Sequence, residues 1–220
     1  MRLITIRSTC LAGSISKREA KMRNLFLFLA SLSLLVSAIP ASAQEDAATI
    51  ASSICSSCHG AAGISISPMF PRLAGQRATY IEEQLKAFRS QTRTDPDAQA
   101  YMWGMAAQLD DMTIHNLANY YASLPPAQGT PGPKDEMKAG EEIFHNGIPA
   151  RNLPACAACH GSNAQGVGSF PRLAGQQSSY IVRQLMAFKS GVRSNALMLN
   201  IATKLDPKEM RDLAVYLQSL

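Results

Sequence analysis

The chain has 220 residues, with 21 Lys and Arg against 16 Asp and Glu, a formal charge of +5 that at first sight points to an acidic partner. Six of those basic residues and one acid fall in residues 1–43, leaving fifteen of each sign in 44–220, so the excess belongs to the N-terminal segment and gives no reason to expect nucleic acid. At this length the chain can form one domain or two.

Residues 1–43 read as a secretory leader. Met22-Arg23 opens a short basic stretch, Leu25 to Ile39 is almost unbroken apolar sequence, and Ala41-Ser42-Ala43 is a small-x-small cleavage site. Met22 is a plausible true start. Cleavage after Ala43 implies export. The apolar run is short for a membrane span, so at most peripheral membrane association is expected.

Downstream, residues 47–58 are predicted to lead helically into Cys55-Ser56-Ser57-Cys58-His59-Gly60. Phe70-Pro71-Arg72-Leu73-Ala74-Gly75-Gln76 follows, then a helix on which Tyr80, Ile81, Gln84, Leu85 and Phe88 recur at helical spacing. Met102 precedes a last helix with an apolar stripe of Ile114, Leu117, Ala118 and Tyr121. Pro125 to Pro133, with four prolines and two glycines, is predicted to be a stiff extended linker. A helix with Gly140 and Phe144 then leads to Cys156-Ala157-Ala158-Cys159-His160-Gly161. Phe170 to Gln176 repeats Phe70 to Gln76 letter for letter. Tyr180, Ile181, Gln184, Leu185 and Phe188 follow, then Met198. Asp206-Pro207-Lys208-Glu209 signals a helix start before a second stripe of Met210, Leu213, Ala214 and Leu217.

The two series match in order, with offsets that change only where loops are expected, which marks a duplicated domain. No period-2 pattern of useful length occurs. The predicted fold is therefore all-α, in two tandem domains related by duplication. The expected boundaries are a signal peptide at 1–43, an N-terminal domain at 44–124, a linker at 125–134 and a C-terminal domain at 135–220. Each half is small for an unaided core, and a large apolar cofactor would supply buried surface.

Cys-x-x-Cys-His is the attachment signature of c-type haem: two thioethers from one helical turn, with the adjacent histidine placed beneath the iron. A thioredoxin-like pair would want a βαβ context, and a shared zinc site would not leave one complete site per copy. The expected cofactors are two covalently bound haem c groups, attached through Cys55, Cys58, Cys156 and Cys159, with His59 and His160 as axial iron ligands. Register nominates Met102 and Met198 as the opposite axial ligands. Met105, Met69 and Met112 have no partner methionine in the other half. Pro71 and Pro171, which lack a backbone donor but keep a carbonyl, suit accepting the histidine N–H. Arg72 and Arg172 are candidates for pairing with haem propionates, as are the Tyr80 and Tyr180 hydroxyls, with solvated surface charge the alternative for the arginines.

These motifs, with the proline-rich linker, resemble the cytochrome c4 family across essentially all of 44–220. The resemblance implies an all-α fold of two tandem class I cytochrome c-like haem domains related by a pseudo-twofold axis, and a periplasmic electron carrier in a respiratory chain, not an enzyme. Its partners would be a membrane quinol-oxidising complex as donor and a haem–copper terminal oxidase as acceptor. The alternatives are an electron-transfer subunit of a larger oxidoreductase and, further off, a di-haem peroxidase. The first half departs from the class I pattern: it lacks counterparts of Gly140 and Phe144, so its contact with the last helix should be looser or built differently. Residues His145 to Pro154 have no counterpart there either.

Overall fold

In the computed structural model, residues 41–220 are described; the expected leader lies outside them apart from its last three residues. In the first half, α1 (Ala41–Ile50) continues through a π-helical turn (Ala51–Cys55) into α2 (Ser56–His59). Then come α3 (Ala78–Arg89), a second π-helical turn (Ala98–Met102) running into α4 (Trp103–Ala106), and α5 (Asp111–Ser123). The second half holds α6 (Lys134–Asn146), α7 (Ala157–His160), α8 (Ser178–Lys189), α9 (Ala196–Ala202) and α10 (Pro207–Ser219). Among the described residues extended pairing is limited to two isolated bridges, Ile148–Leu153 and Val167–Phe170. The fold is all-α, in two tandem copies of one arrangement that together make a single compact unit.

The stripes become the core. Ile114, Leu117, Ala118 and Tyr121 are buried on α5, and Met210, Leu213, Ala214 and Leu217 on α10. Asp206 accepts from Glu209 N (2.9 Å) while the Glu209 carboxylate accepts from Asp206 N (2.8 Å), a closed capping box that satisfies two donors at the helix start. The first half caps α5 through Asp110 alone, which accepts from Thr113 N at 2.7 Å.

In the second half α6 crosses α10 so closely that a Cβ on Gly140 would lie 2.1 Å from Asp212 O, and Phe144 beside it is fully buried. The first half solves the same crossing with other residues: Ala47 and Ala51, one turn apart and both buried, present methyl-sized surfaces to Leu117, Ala118 and Tyr121. Its contact is therefore built differently. The extra residues after α6 form a short loop in which Gly147 takes a positive φ (65°) and Leu153 turns back into the core. The linker is extended and packed: Thr130 N donates to Gln218 O (2.9 Å), and Gly129 lies against the end of α10.

Two glycine substitutions separate space from conformation. Gly140→Ala is expected to destabilise the holoprotein by about 1–3 kcal/mol through overpacking. Gly104→Ala, on α4 with open space around it, should be neutral or stabilising by up to about 1 kcal/mol. Denaturant unfolding of the two variants checks both signs.

Candidate haem sites

Each Cys-x-x-Cys-His motif ends a helical stretch, and the glycine after it takes a positive φ (Gly60 79°, Gly161 82°), so the chain can leave the helix at once. At Gly60 a Cβ would also meet Ile64 O at 2.2 Å. The chain then runs to the repeated segment, where Pro71 O lies 2.9 Å from His59 Nδ1 and Pro171 O lies 3.0 Å from His160 Nδ1. A carbonyl can only accept, so Nδ1 carries the proton in both rings and Nε2 is left with its lone pair free. Both histidines are buried; burial pushes their pKa below the ordinary value, the proline carbonyl opposing. Neutral imidazole is the form that binds a metal. Burial also pushes the Cys55 thiol up and the Cys156 thiol up to about 11.

Both motifs open onto one cavity of about 720 Å³ whose walls come from both halves. Cys55, Cys58, His59 and Met102 line it from the first half, and Cys156, Cys159, His160 and Met198 from the second. Met102 packs against the cluster of Phe88, Ala98 and Ala106, and Met198 against the core of the second half. Met105 also lines the cavity but is largely exposed. Among the described residues no three His, Cys, Asp or Glu side chains gather into a metal cluster, and the four cysteines are unpaired.

The repeated segment also joins the halves. Gln76 Nε2 donates to Arg172 O (2.9 Å) and Gln76 Oε1 accepts from Arg172 N (2.7 Å). Gln176 makes the same pair of bonds to Arg72, both at 2.9 Å. Two buried side-chain amides thus each close on the backbone of the opposite half. Arg72 follows suit: its Nη1 donates to Gly175 O (2.7 Å) and its Nε to Ser65 O (3.4 Å). Arg172 differs, since its Nε is buried without a partner among the described residues, leaving a donor for an anionic group at the cavity wall.

Deeper between the halves lie two arginines that the sequence reading passed over. Arg93 donates to Gln84, Gln184 and the Tyr180 hydroxyl. Arg193 donates to Gln184, Gln84 and the Tyr80 hydroxyl. Each guanidinium sits over a phenylalanine ring of its own half, Arg93 over Phe88 at 4.7 Å and Arg193 over Phe188 at 4.4 Å. Both arginines are buried and line the cavity, while one buried carboxylate, Asp95, pairs with Arg93. Two buried cations against one anion need a further negative group, which haem propionates supply. An apolar cavity, two thiol pairs, two Nε2 lone pairs and surplus buried positive charge all fit two haems. The Tyr80 and Tyr180 hydroxyls, expected to face propionates, accept from these arginines.

The cytochrome c family model matches residues 44–125 and 137–220. The chain belongs to the cytochrome c family, in its di-haem c4 branch. A cytochrome c-552 from Acidithiobacillus ferridurans is 43% identical over 200 residues, covering 89% of this chain and 87% of that protein. A solved cytochrome c4 from Acidithiobacillus ferrooxidans superposes with a TM-score of 0.72 at 44% identity, over 76% of this chain and 98% of its own. A thiosulfate dehydrogenase electron acceptor from Thiomonas intermedia is 37% identical over 202 residues, 87% of this chain and 88% of its own length. The cofactors of this c4-type chain are two haem c groups, and its activity is electron transfer, not catalysis.

The reciprocal glutamine contact makes a prediction about stability. Gln76→Ala strips the partner from the Arg172 backbone N–H and C=O, and should cost about 1–3 kcal/mol by leaving them unsatisfied. Gln176→Ala should cost about the same, and Glu at either position should restore less than half, because it cannot donate. Chemical denaturation of the holoprotein measures each.

Proposed function

We propose that this cytochrome is a periplasmic di-haem electron carrier of a respiratory chain, with His59 and Met102 as axial ligands of one iron and His160 and Met198 of the other. In this reading Cys55, Cys58, Cys156 and Cys159 hold the porphyrins through thioethers. The observation that carries it is the arrangement at the cavity wall. Two histidines, each locked by a proline carbonyl with Nε2 free, share that wall with the two methionines that match in the repeat.

A haem bound between histidine and methionine supplies a one-electron couple biased towards the ferrous state. The protein's contribution is to hold that couple with little rearrangement. Pro71 and Pro171 fix the imidazole tautomer and ring orientation, the packing around Met102 and Met198 holds the thioethers, and the cavity's apolar lining keeps water away. Arg93, Arg193 and Arg172 are placed to receive propionates, a role expected of Arg72 and Arg172. Arg72 already donates to Ser65 O and Gly175 O and contributes more to joining the halves. With both axial positions of each iron taken by protein, no position is left for a substrate, which supports a carrier over a peroxidase.

Electrons are proposed to arrive from a quinol-oxidising membrane complex and to leave to a haem–copper terminal oxidase. The likeness to a thiosulfate dehydrogenase electron acceptor favours a second reading, in which a dehydrogenase is the donor and the chain is its dedicated acceptor. Export through the 1–43 leader would place either pathway in the periplasm. Among the described residues no helix is long and apolar enough to cross a membrane.

The purified holoprotein is expected to give two c-type haems per chain by pyridine haemochrome, a weak far-red methionine-to-ferric-iron band, and no reaction with carbon monoxide when reduced. Met102→Ala and Met198→Ala should each remove about half the band and open one iron to carbon monoxide. A wild-type chain that binds carbon monoxide readily at one haem would refute the ligand set.

A further inference from the structure

We propose that Asp95 makes the two haem sites unequal, holding the haem of the N-terminal half at the lower reduction potential, with Asn195 as its neutral counterpart in the other half. The inference rests on the ligand reading above and adds a residue that tunes it.

The buried layer between the halves is almost perfectly twofold. Arg93 matches Arg193, Tyr80 matches Tyr180, Gln84 matches Gln184 and Phe88 matches Phe188, all at an offset of 100, and their hydrogen bonds are reciprocal. Charge breaks the symmetry two residues after each arginine. Asp95, only 2% exposed, accepts from Arg93 Nε at 2.7 Å and from Ala98 N at 3.3 Å, at the start of the turn that carries Met102. Asn195 occupies the matching place and accepts from Met198 N at 2.9 Å, at the start of α9. The two side chains do the same local work, capping the segment that carries each methionine, but they differ by one charge and in environment, Asp95 being buried and Asn195 exposed.

Burial alone would raise the Asp95 carboxyl, but the Arg93 guanidinium against it holds the pKa below the ordinary value, so the group is an anion. Arg93 is thereby compensated within its own half. Among the described residues no carboxylate pairs with Arg193, while the buried Asp212 of that half is taken by Lys208, so Arg193, unlike Arg93, has no protein anion beside it. A buried negative charge favours the ferric state and a buried positive charge the ferrous, and neither is screened as surface charge is. Asp95 lies on the methionine-bearing segment of the first half, and Trp103, next to Met102, is tied back to Arg93 by Nε1 donating to its carbonyl at 2.8 Å. The carboxylate therefore acts mainly on the N-terminal haem. Total charge runs the same way, with eight acidic and five basic residues in 44–124, Asp95 and Arg93 included, and seven acidic and ten basic in 134–220. In the half-reduced chain the electron then resides mainly on the C-terminal haem.

The test is spectroelectrochemical titration of the holoprotein and of Asp95→Asn and Asn195→Asp. Asp95→Asn should raise the lower of the two wild-type steps and change the equilibrium sharing one electron between the haems by about tenfold, ~59 mV in their separation. Asn195→Asp should lower the upper step by a smaller amount, because position 195 is exposed and a charge there is partly screened. The far-red methionine band should persist in both variants. Unmoved potentials in both, or a shift of the upper step in Asp95→Asn, overturns the proposal. So does loss of the band in Asp95→Asn with unmoved potentials in Asn195→Asp, which would mean that Asp95 only positions Met102. Failure of the ligand reading looks different: the wild type itself would lack the band or one haem.

Discussion

A primary amide has the same pattern of donor and acceptor as a peptide group, and two glutamines exploit it. Gln76 and Gln176 each reach into the opposite half and pair with the N–H and C=O of an arginine there, in bonds of 2.7 to 2.9 Å. Because the contact is buried, each amide must be satisfied in full or cost free energy. That requirement fixes how the two Phe-Pro-Arg-Leu-Ala-Gly-Gln segments face each other. It thereby fixes Pro71 and Pro171, which hold the two histidines, and one cavity between both halves follows. A single seven-residue segment thus orients a haem ligand with its proline and joins the halves with its glutamine, which accounts for its verbatim repetition.

Much of this could be read directly from residues. Helical stripes on α5 and α10, the acidic cap before Pro207 and the two Cys-x-x-Cys-His turns are local signals, set by helix geometry and by what a capping or ligating side chain must reach. Interdomain roles have no such signature. Gln76 carries no pattern that separates a surface amide from one clasped on a distant backbone, and Arg72 has the same charge whether it meets a propionate or Gly175 O. Arg93 and Arg193 were within reach of self-comparison, since they match at the same offset as Ser90 and Ser190 just before them. That register ends two residues later, where the first half carries four extra residues between Asp95 and Met102.

Those extra residues also show how the duplicated copies have diverged. They bring in Asp97, whose carboxylate accepts from Arg183 Nε at 3.0 Å across the interface, while Arg183 also donates to Pro68 O and Met69 O. The first half closes its helix crossing with Ala47 and Ala51 where the second uses Gly140 and Phe144. Symmetry is kept where both halves must satisfy one another's buried polar groups. It is relaxed at the periphery, and at Asp95 it is relaxed in charge while the capping bond is kept.

A shared cavity with interlocked walls brings the two haem sites together as one electron-transfer unit. Flash reduction of the oxidised holoprotein with less than one electron per chain tests it most directly, following redistribution between the haems across a range of protein concentrations. The account predicts redistribution at a rate independent of protein concentration, as an internal step must be. A rate that rises in proportion to concentration would show that electrons pass between molecules instead, and would contradict it.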